Sequence, residues 1–404
     1  MLYQYSIEEL IGLQDINVTK IEKTDKFNNI HLELKKKENI CPCCGNATSK
    51  IHDYRIQKVK DIPSFGYFTL IYLRKRRYRC NKCNKRFFEN NSFLPKYKRI
   101  TNRLSAKVIN DLASANSFYE VAKSVNLTAP TVIRIFDNIS YPKATLNNAI
   151  AIDEFKGNAN NEKYHCIITD PIQRTVLDIL PKRYDYYLSS YFSKYPKETR
   201  QNIKLFVSDM WKPYFTTCTT YFPNATSVID KFHWVRQIIW AFEKVRKEEQ
   251  KYLSKDLRIY FKKSKSLLLK RFNKLKDEEK QQVNVMLSIS VNLSRAYYYK
   301  EYLFRILDTQ SVSLKKQLLK DFIIETRTCN IKSFEYASNT LYNWLPGILN
   351  SFDSIYTNAF TEGCNNKIKV LKRNAYGYRN FNRFRNRILH MFSYLNSNKN
   401  EQVA

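Results

Sequence analysis

A multidomain α/β fold is predicted by three observations. Two pairs of closely spaced cysteines bracket a stretch of alternating apolar residues near the start of the chain; three short helical pieces follow; and from residue 149 three strand-like runs give way to alternating helix and strand. The chain has 404 residues, 43% apolar and 14% aromatic, enough for two or three domains and at least one large core. Lys and Arg number 69 against 37 Asp and Glu, a net charge of +32. A field of that strength concentrates polyanions, and nucleic acid is the partner that releases counterions when many cations bind it. On charge alone a ribosome-associated or membrane-surface protein competes with that reading. No apolar run approaches the roughly 18 residues of a membrane helix, so no membrane partner is expected. Residues 1–10 carry Glu8 and Glu9 where a signal peptide would carry positive charge, and the chain reads as cytoplasmic.

Residues 1–40 mix helix and strand signals, end in the basic run Lys35, Lys36, Lys37, and receive no role. Next come Cys41-Pro42-Cys43-Cys44 and Cys80-Asn81-Lys82-Cys83, two C-x-x-C knuckles whose thiolates Cys41, Cys44, Cys80 and Cys83 close a tetrahedral site for one structural Zn²⁺. Nine cysteines in so long a chain are too sparse for a disulfide scaffold, and five of them fall between positions 41 and 83, which points to metal. Cys43 is a spare thiol. Between the knuckles, residues 54–61 and 67–78 read as two strands around the turn Pro63-Ser64-Phe65-Gly66, a β-ribbon. Arg74, Arg76 and Arg77 run into the second knuckle and are assigned to phosphate contact; a basic edge strand that discourages aggregation is the plainer reading.

From residue 101 to about 141 the signal is helical in three pieces. Ser117 and Glu120 form a capping box, and Thr128 with Pro130 opens the third piece. There Val132, Ile135, Phe136 and Ile139 make an apolar face, with Thr131, Arg134 and Asn138 opposite it. A helix-turn-helix that reads DNA with those three residues fits, against an ordinary helical connector.

Runs at 149–155, 164–169 and 175–180 predict an antiparallel meander. A helix near 184–194, a strand at 203–208, a helix near 213–221, a strand at 226–229 and a helix from 232 complete the order of an RNase H-like core. Residues 248–340 are polar, lysine-rich and helical, and are read as an insertion into that core. The regions expected are therefore 1–100 with the zinc finger, 101–145 with the helix-turn-helix, 146–247 for the first part of the core, 248–340 for the insertion, and 341–404 for the last part with basic C-terminal helices. Seven glycines leave no phosphate-cradling loop.

Phosphodiester cleavage and joining uses two divalent ions held by carboxylates, and hard oxygen ligands suit Mg²⁺ or Mn²⁺. Asp153 sits inside the apolar run 149–155, where a charge is costly unless paired or metal-bound; Asp209 ends the strand 203–208; Glu362 shares a helix face with Asn366 and Lys369. With 37 acids, spacing alone does not single out this triple.

The motifs do. Together with the finger, the stretches 151–155, 207–214 and 228–235, and above all Asn358-Ala-Phe-Thr-Glu-Gly-Cys-Asn-Asn-Lys-Ile-Lys-Val-Leu-Lys-Arg373, resemble the DDE transposases of the bacterial ISL-three insertion-sequence family nearly from end to end. The resemblance implies that Asp153, Asp209 and Glu362 form the metal-binding catalytic triad, on an RNase H-like core interrupted by a helical insertion. It also implies recognition of terminal inverted repeats in double-stranded DNA, and of target DNA, and we expect a homodimer or larger homo-oligomer on that DNA. Cys364 stands where an aliphatic residue is expected. Asp230 and His233 share a motif of the family; Asp230 is left between an alternative ligand and a supporting carboxylate, His233 between a functional and a buried structural group. Glu154 points to the opposite face of its strand and is not taken as a ligand. The cations after the glutamate, Lys367, Lys369, Lys372, Arg373, Arg379, Arg383, Arg385 and Arg387, are assigned to DNA phosphates, Lys369 and Arg373 foremost. The competing reading is a catalytically silent, transposase-derived DNA-binding protein.

Overall fold

The computed structural model of the protein describes residues 2–401; residue 1 and residues 402–404, the outer ends of the regions expected at 1–100 and 341–404, lie outside the described residues. The chain divides into two compact units: one formed by the chain up to Pro142 with Val370–Tyr378 and the chain from Asn382, the other by Lys143–Lys369 with Arg379–Phe381.

The first unit begins with α1 (Leu2–Ile11), followed by β1 (Ile16–Lys23) and β2 (Phe27–Leu34). The short strands β3 (Asn39–Ile40) and β4 (Ala47–Thr48) frame the first cysteine knuckle, and β5 (Ile51–Ser64) and β6 (Tyr67–Arg79) are the predicted ribbon. β7 (Arg86–Phe88) returns along β6 after the second knuckle. Phe65 and Gly66, both at positive φ, close the ribbon in the manner of a type I′ turn. The unassigned residues 1–40 turn out to finish this sheet: β2 lies parallel to β6, pairing Ile30 with Ile71 and Leu32 with Leu73, and β1 covers its other edge. Ile16, Ile30, Leu32, Leu34, Val59, Ile71 and Leu73 are the core so formed. A non-local parallel pairing has no turn to announce it, which is why the sequence left it unread.

The three predicted helices are α2 (Asn102–Asp111), α3 (Phe118–Ser124) and α4 (Ala129–Phe136), packed around Leu104, Val108, Val121, Val132 and Phe136. The Ser117–Glu120 capping box is present, and Thr101 caps α2 by accepting from the Leu104 amide. Buried Asp61 at the end of β5 accepts from the Thr101 hydroxyl at 2.6 Å and pairs with Arg103, tying the sheet to the helices. The helix Phe381–Glu401, which the sequence placed with the last part of the core, joins this unit from Asn382 onward. Its fully buried Arg387 donates to the carbonyls of Leu112, Ser114 and Asn116, the open end of α2, and His390 meets the carbonyl of Ile109 at 2.8 Å. Arg383 is ion-paired with Asp137. Arg387, expected among the phosphate-facing cations, is instead a buried cap, because carbonyls at a helix end are strong acceptors with no partner of their own.

The second unit is built on β8 (Ala149–Lys156), β9 (Tyr164–Asp170), β10 (Thr175–Leu180), β11 (Leu205–Ser208) and β12 (Thr226–Ile229), in the sheet order β10-β9-β8-β11-β12. β8, β9 and β10 are antiparallel, while β11 and β12 run parallel to β8, the order predicted for an RNase H-like core. β8 is buried on both faces, which explains its near-continuous apolar run. Helices α5 (Asp185–Phe192), α6 (Lys197–Gln201) and α7 (Lys212–Tyr221) connect β10, β11 and β12, and α8 (Lys231–Glu249) leaves β12. The insertion is all helical: α9 (Lys255–Lys263), α10 (Lys265–Leu269), α11 (Asp277–Ser288), α12 (Val291–Asp308), α13 (Val312–Arg327) and α14 (Lys332–Asn343). Its core is continuous with α8 through Trp234, Ile238 and Phe242, so it grows out of the sheet-bearing fold. The chain returns through α15 (Leu345–Asn350), where Gly347 lies so close to β12 that a Cβ would fall 2.7 Å from Ile229 Cγ1, and then α16 (Ala359–Asn374). No helix among the described residues is long and apolar enough to cross a membrane.

Candidate active site

Three parallel strands in register set the geometry of the site. Val207 of β11 pairs with Ala151 of β8 on one side and Val228 of β12 on the other, and these three side chains form one small apolar cluster on a single face of the sheet. Side chains alternate along a strand, so two residues further toward the carboxyl ends the same face carries Asp153, Asp209 and Asp230. A row of three carboxylates is the direct continuation of that apolar row. The carboxyl ends of parallel strands are where open α/β sheets place their ligands.

Glu362 comes from α16, and a stripe of polar residues positions it. The Asn358 amide donates to Asp230 Oδ2 at 3.0 Å, the Thr361 hydroxyl meets that of Thr169 at 2.8 Å, and Asn365 Nδ2 donates to Asp153 Oδ2 at 2.7 Å. All three are buried, alongside Cys364 and Ile368. Sequence reasoning passed over Asn358, Thr361 and Asn365 as site residues; the available signal was their helical spacing on the apolar side of the helix. Cys364 fills the aliphatic position as a buried packing residue.

Each acid is held differently. Asp153 Oδ1 accepts from the Glu154 amide at 2.7 Å, and Asp230 Oδ1 caps α8 by accepting from the Phe232 amide at 2.8 Å. Asp209 Oδ2 lies 3.0 Å from His233 Nδ1, while its buried Oδ1 has no hydrogen-bond partner. Asp230, His233 and Glu362 each offer an atom within 4.8 Å of the other two, the tightest acidic group among the described residues, and it holds one member of the expected triad. Asp153 and Asp209 complete the constellation from the neighbouring strands. Glu154 is turned to Arg183, at 2.5 Å, and to the Tyr214 hydroxyl.

Burial and mutual repulsion dominate the electrostatics of these acids. Burial pushes the Asp153 carboxyl up to about 7, and Glu154, Glu362 and Asp230 push the same way. Burial pushes Asp209 up to about 9, reinforced by Asp153, Glu154 and Asp230 and opposed by Arg236. Glu362 is raised by burial and by Asp230, against Arg236 and Lys369. His233 is lowered by burial, which keeps its imidazole neutral. Clustered carboxylates that resist ionisation, with one buried oxygen left unpaired, are the donor set that hard divalent cations take.

The finger presents the opposite case. Cys41 and Cys83 Sγ are 3.6 Å apart and Cys44 and Cys80 Sγ 3.5 Å, with all four within 4.8 Å. Zinc with sulfurs about 2.3 Å away spaces them about 3.8 Å apart, so the four fit a structural zinc. Gly45 and Asn84, each following the second cysteine of a knuckle, sit at positive φ and donate their amides to the carbonyls of Cys41 and Cys80. Amides within the second knuckle, that of Cys83 first, draw the Cys80 thiol down to about 6. Cys43 is exposed and outside the group.

The residues assigned to DNA are placed unequally. Arg134 is exposed on α4 and reaches the half-buried Thr131 at 3.3 Å, and exposed Asn138 lies two residues past the end of α4, donating to the Arg134 carbonyl. Arg74 is exposed and pairs with Glu33; Arg77 is half-buried and bound to Asp53. Arg76 is only 4% exposed and is held by Glu33, Glu89 and the Leu34 carbonyl. Its assignment to phosphate is therefore corrected: on β6 it alternates with Lys75 and Arg77 and points inward. Lys369 and Arg373 are exposed on α16.

The sequence matches the transposase model for DDE enzymes of the ISL3 type over residues 150–388. It also matches the zinc-finger of transposase IS204/IS1001/IS1096/IS1165 over residues 37–83 and the helix-turn-helix domain of transposase family ISL3 over residues 89–140. It is 28% identical over 393 residues to a transposase for insertion sequence element IS1001 from Bordetella parapertussis, covering 94% of this chain and 96% of that protein. A stretch of 91 residues is 33% identical to an ATP-dependent protease from Lactococcus lactis subsp. lactis, covering 22% of this chain and 27% of that protein.

Proposed function

The chain belongs to the ISL3 transposase family, and from that membership we propose that it binds the terminal inverted repeats of an insertion sequence and catalyses metal-dependent cleavage and transfer of their strands. The observation that carries the reading is the row of Asp153 within β8 and Asp209 and Asp230 just past the carboxyl ends of β11 and β12, faced by Glu362. Asp153, Asp209 and Glu362 would hold two Mg²⁺ or Mn²⁺ ions, which when bound activate the attacking oxygen and stabilise the leaving one. The rest of the constellation positions these acids. Asn365 fixes one oxygen of Asp153, and His233 engages Asp209 Oδ2 so that Oδ1 stays free. Asp230, with both oxygens accepting backbone amides, joins α8 to the approach of α16 and so sets where Glu362 stands.

The helix-turn-helix supplies sequence selectivity through Thr131, Arg134 and Asn138, while Arg74, Lys369 and Arg373 contribute salt-dependent phosphate contacts; Arg77 can join them only by leaving Asp53. The zinc finger stiffens the ribbon that carries Arg74. The protein acts in the bacterial cytoplasm as a homodimer or larger homo-oligomer on DNA. An intact set of acids opposes the catalytically silent alternative.

Asp209→Asn tests the chemistry, because the amide keeps the shape and removes the charge that neutralises the metals. Strand cleavage of DNA carrying the inverted repeats should fall by roughly three orders of magnitude or more, with mobility-shift binding intact. Normal cleavage by that variant, or cleavage by the wild type in chelator, would overturn the reading.

A further inference from the structure

Beside the acids runs a groove that the proposed chemistry leaves unused. Its volume is about 490 Å³, and its lining includes Asp230, Phe232, Arg236, Arg271, Phe304 and Glu362. That size lies within the roughly 300–1,000 Å³ of pockets that hold small ligands. It is far too small for a duplex and large enough for one nucleotide.

The lining has an unusual composition for a helix surface. Phe232 and Arg236 of the lining are continued beyond the groove by Trp240, the three being four residues apart on α8 in one stripe, opposite the face that buries Trp234, Ile238 and Phe242 in the insertion core. Phe232 is 56% exposed and Trp240 52%. The Arg236 guanidinium carbon lies 5.1 Å from the Phe232 ring centroid and 4.5 Å from that of Trp240, and its buried Nε has no hydrogen-bond partner. A second such pair lines the groove, Arg271 at 4.5 Å from the Phe304 ring. Lys231 is also in the lining, held below its usual value by burial and by the neighbouring cations Lys315 and Arg271. Arg271 is bound to Asp308 at 2.7 Å, which leaves Arg236 as the cation with an unsatisfied nitrogen beside an aromatic face. That pairing matches a base joined to a phosphate: the ring offers a stacking face that any base can use, and the cation takes the backbone. The groove shares Asp230 and Glu362 with the acid cluster, so an occupant sits next to the bond those acids would act on.

We propose that this groove takes one unpaired nucleotide from the DNA end, its base stacked on Phe232 and its phosphate held by Arg236, which Arg271 joins only by leaving Asp308. The assignment rests on the transposase reading above and adds that the DNA is locally opened at the cleavage site. Lifting a base out of the duplex costs stacking and pairing energy, which the ring recovers in part.

Fluorescence anisotropy of the zinc-loaded, full-length protein with no Mg²⁺ or Mn²⁺ present tests this without any cleavage. The probes are three labelled duplexes of the same sequence: one fully paired, one forked by mispaired terminal bases, and one forked with the terminal bases removed as abasic sites. The forked duplex should bind about tenfold tighter than the paired one, the scale of a single base–aromatic stack, and the abasic fork should lose that gain. Phe232→Leu, which keeps apolar volume and whose folding is checked by its melting temperature, should abolish the preference, and Phe232→Trp should preserve it. Equal binding of the abasic and base-bearing forks, or a preference that survives Phe232→Leu, would sink the proposal. If the fork preference is absent while cleavage still depends on Asp209, the groove fails alone. If the preference is present while cleavage ignores Asp209, the catalytic reading fails alone.

Discussion

The zinc finger and the acidic sheet end, where we propose divalent ions bind, are assembled by opposite means. The four thiols come from two short knuckles whose own backbone turns and amides hold them at 3.5–3.6 Å in pairs. The acids come from β8, β11, α8 and α16, the nearest two of them more than twenty residues apart in sequence, and burial drives their carboxyls away from ionisation. The knuckles carry their own turns and amides, whereas a site gathered from distant elements exists only when the whole sheet and α16 are in place. The first arrangement suits a structural metal; the second suits the exchangeable ions of the proposed chemistry.

The widest separation between the two is expected from ligand loss. Cys80→Ser removes one of four sulfurs from a site whose binding free energy, about 10–16 kcal/mol in isolated zinc fingers at neutral pH, is also folding free energy. Elemental analysis should find the wild type with zinc and the variant without it, and the ribbon of the variant should become protease-sensitive while the catalytic unit stays resistant. A zinc-free variant with an undisturbed ribbon would show that the finger is held by its sheet core instead.

A second effect belongs to the acids alone. An unfolded Asp titrates near 3.8, whereas Asp153 and Asp209 in the fold sit at about 7 and about 9. Between those values the folded protein keeps protons the unfolded chain has lost, so metal-free stability is highest on the acid side and falls as pH rises through the window. Mn²⁺ should restore much of the lost melting temperature near pH 8, and Asp209→Asn should flatten the slope and weaken the Mn²⁺ response. A melting temperature of the zinc-loaded wild type that rises from pH 5 to 8 without Mg²⁺ or Mn²⁺ would contradict this arrangement of charges.

The same contrast governs what could be read from the sequence. Cys41, Cys44, Cys80 and Cys83 were legible because their spacing is the site, and the ribbon and three helices were legible from alternation, capping and periodicity. The strand order of the core followed from its apolar runs. Asp153, Asp209 and Glu362 were selected only with the help of family resemblance, since no local rule brings residues so far apart together. Asn365 was missed because its role appears only once α16 lies against β8, and Arg76 was misplaced because a run of arginines hides which of them faces inward. Asn365→Ala measures the first of these omissions: freeing Asp153 Oδ2 should lower cleavage about 10–100-fold, the usual cost of losing a partner that orients a ligand, with zinc content unchanged. Full activity would make Asn365 a packing residue only.

The smallest expected effect sharpens the comparison from the side of the finger. Cys43 lies between two ligands, and a knuckle with three cysteines leaves open which pair binds. The structure separates them: Cys44 belongs to the four-sulfur group, and Cys43 is exposed outside it. What Cys43 does give the site is its backbone amide, which helps draw the Cys41 thiol down and which a serine supplies equally well. Cys43→Ser should therefore keep its zinc and change stability by no more than about 0.5 kcal/mol, as exposed substitutions usually do, whereas Cys44→Ser should lose the metal. Zinc released to a colorimetric chelator and the melting temperature would be followed for both variants. If Cys43→Ser releases zinc as readily as Cys44→Ser, the knuckle exchanges ligands, and the finger is less fixed by its backbone than the paired sulfur distances indicate.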